Sequence, residues 1–365
     1  MHMADALLSP ATGLVMWAAA GTALAVASRV VKARADDALV PLMGILGAFV
    51  FAAQMINFSI PGTGSSGHLG GGLLLAMLLG PHAALVVISS VLTVQALFFA
   101  DGGLLALGAN IFNIGVLPCL VAYPLVYRPL AGGAPSRRRL TLAAGLAAML
   151  ALQLGAMGVV LQTVMSGISG LSFEGFAWLM LPIHAAIGVV EGAATVAIVL
   201  FVQRHRPELL HAAAPGAAPA STAPRLRPVL LAAGLATLAL GGVGSWFASA
   251  DPDGLEWSVQ RAGVKASVTK ATAATTPAGL HETLAAMQKR TALLPDYGLP
   301  EGALPATPPG DSPQAPPQAS QPQAWPAVNA GTSLAGVVGG ATTLGLVLAV
   351  GLLLRRRRRP ATARH

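Results

Sequence analysis

The chain has 365 residues, 54% hydrophobic and only 10% charged, with a formal net charge of +8. A soluble domain carries roughly 25% charged residues, so this composition excludes an ordinary soluble enzyme. The basic residues sit at the ends of apolar runs, the positive-inside pattern of membrane proteins, which sets aside nucleic acid as a partner.

In chain order, the apolar segments fall at 12–31, 40–57, 69–80, 82–100, 104–127, 140–165, 177–202, 228–249 and 332–354. About 20 apolar residues cross roughly 30 Å of hydrocarbon, so the expected fold is an all-α polytopic membrane protein. Nothing basic precedes the first run, so the N-terminus does not read as a signal peptide. His2 is too large to favour removal of Met1, which leaves an α-amine beside an imidazole. The segment 69–100 contains Gly80, Pro81 and His82, and reads either as one kinked helix or as two helices. Charge decides between them. Lys32 and Arg34 place the first loop inside, and two crossings put Arg128, Arg137–Arg139, Arg204, Arg206, Arg225, Arg227 and Arg355–Arg359 inside as well. The expectation is nine helices, seven plus two, with the N-terminus outside and the C-terminus cytoplasmic. The segment 69–80 is short for a crossing, so the Gly- and Ser-rich loop before it, which carries His68, is expected to dip into the membrane where protein lines it. Cys119, the only cysteine, lies within an apolar run, so no intramolecular disulfide forms.

The organisation reads as a membrane unit over 1–203, a Pro/Ala-rich linker over 204–227, and a helical hairpin over 228–365. The hairpin holds a polar extracytoplasmic loop (251–331), a terminal helix (332–354) and a basic tail (355–365). The stretch 299–328 holds nine prolines and is expected to be flexible.

Three features point to chemistry. An N-terminal X-His dipeptide is a chelator: its α-amine, the deprotonated amide nitrogen of His2 and the imidazole occupy three corners of a plane. Planar nitrogen sites suit Ni(II) and Cu(II), and low-spin Co(II) follows. His68, on the same side in a glycine-rich loop, is the candidate for the fourth corner. His184 and Glu191 are two turns apart on one helix face, expected to be a buried structural pair or a relay. Gln95, Asn110, Asn113, Gln153 and Gln162 are expected to bond between helices. No phosphate-binding GxxxxGK[ST] loop, HExxH or GxSxG motif occurs, so a membrane enzyme is disfavoured and the chain is not itself an ATPase.

The segments "MHMADALLSP", "FVFAAQMINFSIPGTGSSGHLGGGLLLAMLLGP", "VQALFFADGGLLALGANIFNIGV" and "HAAIGVVEG" together resemble the metal-capturing substrate-specificity (S) component of energy-coupling-factor cobalt and nickel transporters, the CbiM/NikM family. Over about residues 1–200 these motifs occur in the family's order. "DPDGLEWS" resembles the PDGLE motif of the small accessory subunit, NikN- or CbiN-like, of the same transporters. Ala4, Ala6 and Leu7 depart from the family's N-terminal pattern, whereas Asp5, Ser9 and Pro10 keep it. The resemblance implies a seven-helix S-component fused to an accessory hairpin whose Asp251, Asp253 and Glu256 lie outside, either as a solvated turn or as a contact with the metal-binding unit. It implies a metal held by nitrogens of Met1, His2 and His68, with Gln54, Asn57 and Ser66 around it. His82 stands where relatives carry Trp and is not counted as a ligand. Implied partners are a transmembrane coupling (T) subunit and cytoplasmic ATPase subunits in the inner membrane. Ala19, Ala23 and Ala27 form a small-residue stripe read either as the coupling face or as internal packing. No cofactor is expected. The ion is the substrate, nickel favoured, with a cobalt importer for cobalamin biosynthesis as the alternative and a standalone ion-coupled carrier as a second.

Overall fold

The computed structural model describes residues 1–34, 38–133, 135–212, 226–263, 279–299 and 325–356. Most of the expected linker (213–225), most of the stretch expected to be flexible (300–324) and the tail from 357 lie outside the described residues.

The helices follow the apolar runs. They are α1 (Pro10–Arg34), α2 (Leu39–Gln54), α3 (Gly72–Leu79), α4 (Pro81–Phe98) and α5 (Leu107–Ala131), then α6 (Arg137–Ser166), α7 (Phe173–His205) and α8 (Pro207–Ala212). The second part adds α9 (Arg227–Gly242), α10 (Gly254–Arg261), α11 (Gly279–Thr291) and α12 (Ala330–Arg356). Their ends carry sequence signals. Ser136 and Ser172 accept from the backbone N–H of Arg139 and Gly175 and so cap α6 and α7. Gly167, at φ 67°, ends α6. Pro118 and Pro124 are accommodated in α5 by π-type winding over Ile111–Tyr127.

Among the described residues six helices (α1, α4, α5, α6, α7 and α12) are long and apolar enough to cross a membrane, and the chain is a multi-pass membrane protein. The helices α2 and α9 are apolar but shorter. With eight residues, α3 rises only about 12 Å. The region 69–100 is not one long helix: Gly80 (φ 80°, ψ 160°) separates α3 from α4, and the two pack side by side. His82 is the second residue of α4, whose other end meets the Asp101 loop, so roughly 24 Å of helix separates it from His68's end of the bundle.

The all-α expectation misses one element. The loop after α2 folds into a β-hairpin, β1 (Phe58–Ile60) against β2 (Ser65–Gly67), in the register Phe58–Gly67, Ser59–Ser66 and Ile60–Ser65. Burial varies along the stripe of Ala19, Ala23 and Ala27. Ala27 is 0% exposed, and Ala19 and Ala23 are half-buried. A four-residue period marks one side of a helix without saying which neighbour that side meets.

The second part packs against the first through glycines, as lipid-embedded helices do when close backbone approach replaces a hydrophobic driving force. Gly44 and Gly47 of α2 face Leu344, Val347 and Leu348 of α12, and Gly339 of α12 lies on Phe51 and Phe99. Within the hairpin, Gly336 lies against the backbone of Gly241, where a Cβ would come 2.2 Å from the carbonyl oxygen. Trp246 Nε1 donates to Ser333 Oγ (2.7 Å), which donates to Gly242 O (2.6 Å), fixing the turn end of α9 on α12. Gly336→Ala should therefore force α9 and α12 apart and cost roughly 1–3 kcal/mol, read as a lower thermal midpoint in detergent. Gly345→Ala, on the same helix with nothing within 4 Å, should cost nothing. Equal effects would contradict this packing.

Candidate metal centre

The N-terminal segment is threaded into the bundle. Met3 and Leu8 are fully buried, and Met1 is 7% exposed. Asn110 of α5 grips the backbone of Met3 from both sides, with Oδ1 accepting from Met3 N–H (2.8 Å) and Nδ2 donating to Met3 C=O (3.2 Å). Gly103 N–H also donates to that carbonyl, at 2.9 Å. Asp5 Oδ1 accepts from Ala106 N–H at 2.9 Å. The first five residues are thus positioned by the start of α5 and the loop before it.

This threading delivers the terminal amine to two groups. Met1 N donates to His68 Nε2 at 2.7 Å and to Asp253 Oδ2 at 2.7 Å. The His68 tautomer follows from its other nitrogen: Nδ1 lies 3.1 Å from Leu69 O, a pure acceptor, so Nδ1 carries the hydrogen and the Nε2 lone pair faces the amine. The buried ring therefore accepts the amine's hydrogen through Nε2. Burial alone would raise the Asp253 carboxyl, but the terminal ammonium outweighs it and holds the group well below the usual carboxylate range.

His2 stacks on His68 with ring centroids 5.0 Å apart and planes inclined by 10°. Its Nδ1 donates to Asp101 Oδ1 at 2.9 Å, while its buried Nε2 has no hydrogen-bond partner among the described residues. For Asp101 too, burial acts upward, and the His2 charge and hydrogen bond overcome it, leaving the carboxyl far below its ordinary value. Tyr297 OH donates to Asp101 Oδ2 at 2.5 Å. Ala100, at φ 56°, turns the chain into the Asp101 loop.

The amine and His68 Nε2 are spaced like neighbouring corners of a planar site. Metal–nitrogen bonds of about 2.0 Å place adjacent corners about 2.8 Å apart. Among the described residues no group of three His, Cys, Asp or Glu side chains forms a metal site. What the fold gathers beside the terminal amine is the pair of stacked imidazoles of His2 and His68.

The other expected residues divide. Gln54 Nε2 donates to Gly70 O (2.8 Å), and its Oε1 accepts from Gln95 Nε2 (2.9 Å), bracing the loop that carries His68. Ser66 is fully buried; its N–H donates to Pro252 O (2.8 Å) and its Oγ to Asp251 O (2.7 Å). Asn57 reaches the same segment through its carbonyl, which accepts from Ser249 N–H at 2.7 Å. Glu191 Oε1 accepts from Gly71 N–H at 3.1 Å, and His184 Nδ1 donates to Met180 O at 2.7 Å. With Met1, His68 and Asp253 these two side chains line a chamber of about 30 Å³. Asn113 pairs with Gln162, and Gln153 donates to Leu181 O, between helices as expected. Asn110 instead holds the N-terminal segment. Asp101 and Tyr297 carry no motif of their own for this role, though Asp101 lies within "FFADGGLL" beside the helix break.

The accessory loop is a contact and not a solvated turn. Asp253 caps α10 with Oδ1, accepting from Leu255 N–H and Glu256 N–H, and Glu256 Oε2 accepts back from Asp253 N–H. Gly254 lies on His184 and Ile187, where a Cβ would come 2.9 Å from each. Trp257 Nε1 donates to Thr63 O at 2.9 Å. Above the dipeptide a cavity of about 690 Å³ is lined by residues of both parts, among them His2, Asp101, Asp253, His281 and Tyr297.

Residues 2–209 match the family model described as the cobalt uptake substrate-specific transmembrane region, and residues 227–356 match the PDGLE domain. The fused nickel transport protein NikMN of Rhodobacter capsulatus is 36% identical over 242 residues, which cover 62% of this chain and 68% of that protein. The cobalt transport protein CbiM of Sorangium cellulosum is 31% identical over 224 residues, covering 58% and 94%. A solved transition metal transporter superposes with a TM-score of 0.50 at 31% identity, covering 58% of this chain and 96% of its own.

Replacing Asn110 by Ala strands the buried Met3 N–H, at a cost of roughly 1–3 kcal/mol, while the Met3 carbonyl keeps its bond from Gly103 N–H. Amide hydrogen exchange over residues 2–8 should then speed at least tenfold while α6 is unaffected. Unchanged exchange would mean that Asn110 does not anchor the segment.

Proposed function

The chain belongs to the cobalt uptake substrate-specific transmembrane family and is fused to a PDGLE domain, and from that premise we propose that it is the capture subunit of an ATP-driven, energy-coupling-factor importer of a divalent transition metal, nickel before cobalt. The observation that carries this reading is the 2.7 Å approach of the Met1 amine to His68 Nε2. A cation takes the place of the proton between them. The His2 amide nitrogen, releasing its proton to water as the ion binds, and Nδ1 close a five- and a six-membered chelate ring, which makes four nitrogens in a plane. For Nδ1 the exchange releases Asp101 and moves the ring proton to Nε2.

Nickel is favoured by the fused organisation, which the Rhodobacter capsulatus nickel transport protein shares. Cobalt is the second reading, supported by the family's description and by the fact that low-spin Co(II) also accepts planar nitrogen. ATP hydrolysis belongs to separate cytoplasmic subunits joined through a transmembrane coupling subunit. The protein sits in the inner membrane with Met1 and the 251–331 loop outside, supported by Arg128, Arg137–Arg139 and Arg204 gathering at other loops. In this arrangement α3 and the hairpin loop before it together make one traverse and α4 the next.

Position matters to this site as much as identity. One residue added before Met1 turns the amine into an amide and removes a ligand. Purified protein so extended should lose stoichiometric nickel, whereas an extension after His365 should not. His68→Ala should weaken binding at least a hundredfold, and His82→Ala should change it less than twofold. Full nickel content in the extended protein would refute the chelate.

A further inference from the structure

The accessory part meets the site at the amine itself, at the atom the cation is to bind. Asp253 Oδ2 lies 2.7 Å from Met1 N, while the other oxygen of the same carboxylate is committed to the α10 cap, at 2.9 Å from Leu255 N and 2.8 Å from Glu256 N. Three further contacts fix where that cap sits. Ser66 bridges to Asp253 through the Pro252 carbonyl, Gly254 rests on His184 and Ile187, and Trp257 reaches Thr63. The carboxylate is therefore held against the amine by backbone geometry on both sides.

We propose that Asp253 is a positioning residue of the metal site: it keeps the ligating amine in register with His68 by an outer-sphere hydrogen bond, so that the site is complete only when the PDGLE hairpin is docked. The inference rests on the capture reading above. An amine that gives its lone pair to a metal still carries two N–H bonds, and one of them stays on Asp253 Oδ2. His68 is held in the same way, with Nδ1–H on Leu69 O. Such outer acceptors orient a ligand and raise its basicity, and losing one typically lowers metal affinity by about 10–100-fold. The carboxylate also offsets the positive charge that the bound cation brings into a largely buried site.

The capping role and the positioning role separate experimentally, because Asn caps a helix about as well as Asp but carries no charge. In the purified full chain, Asp253→Asn should lower nickel affinity by about 10–100-fold, keep one nickel per chain at saturation, and shift the ligand-field absorption of the planar site. Glu256→Gln, which alters the other half of the same capping box, should leave affinity within about twofold. Without metal, the Met1 amine of Asp253→Asn should react faster with an amine-acylating reagent than that of the parent. If Asp253→Asn binds nickel as tightly as the parent, or more tightly, the proposal is overturned. If the parent itself binds no nickel, the capture reading fails, and an acylation rate equal in parent and variant would then overturn the positioning role independently.

Discussion

The contact between the Met1 amine and His68 spans 67 residues of chain, and the surrounding structure is organised to make it. An ammonium taken from water into a protein interior needs acceptors on every side, or the burial costs several kcal/mol. Here the acceptors are one imidazole lone pair and one carboxylate. Each is fixed by a second bond: His68 by Leu69 O, and Asp253 by the α10 cap. Removing Asp253 takes away the counter-charge of the ammonium, and removing His68 takes away the acceptor of one of its N–H bonds.

That constraint explains why the two parts meet at this end. The β-hairpin that carries His68 is braced from inside by Gln54, Gln95 and Glu191 and from outside by Asp251, Pro252 and Trp257. A parallel chain of contacts runs from Tyr297 through Asp101 to His2. Both nitrogen-bearing groups of the N-terminal dipeptide are therefore held by carboxylates, and both carboxylates are held by the second part, Asp253 belonging to it and Asp101 bonded to it. Fusion keeps that part at a high effective concentration beside the site, and the glycine contacts between α2 and α12 let its terminal helix lie close to the bundle.

Much of this layout was legible in the sequence, for identifiable reasons. Helix positions follow from hydropathy and from Gly, Pro and Ser at the ends, which are local signals. Met1, His2 and His68 stand out because a chelating terminus and a histidine in a Gly/Ser loop are unusual in so apolar a chain. The rest depends on distant neighbours. The Ala19–Ala23–Ala27 stripe gives no sign of direction in a helix where small residues occur on every side. Asn110 looks like other intramembrane amides, and only the threaded N-terminal segment gives it a different partner. The hairpin at 58–67 is too short and Gly-rich to show a two-residue period. Asp101 and Tyr297 lie 196 residues apart, and nothing in either local sequence announces the other.

A cation that replaces the proton between the amine and His68 is, on the proposed chelate, held by nitrogen alone. X-ray absorption at the nickel edge of the loaded protein tests it most directly. Four nitrogens at one short distance, with the edge feature of a planar site and two of the four fitted as imidazole, is the result predicted. A six-coordinate shell rich in oxygen would contradict it, because the carboxylates of Asp101 and Asp253 would then be the ligands and the amine would not.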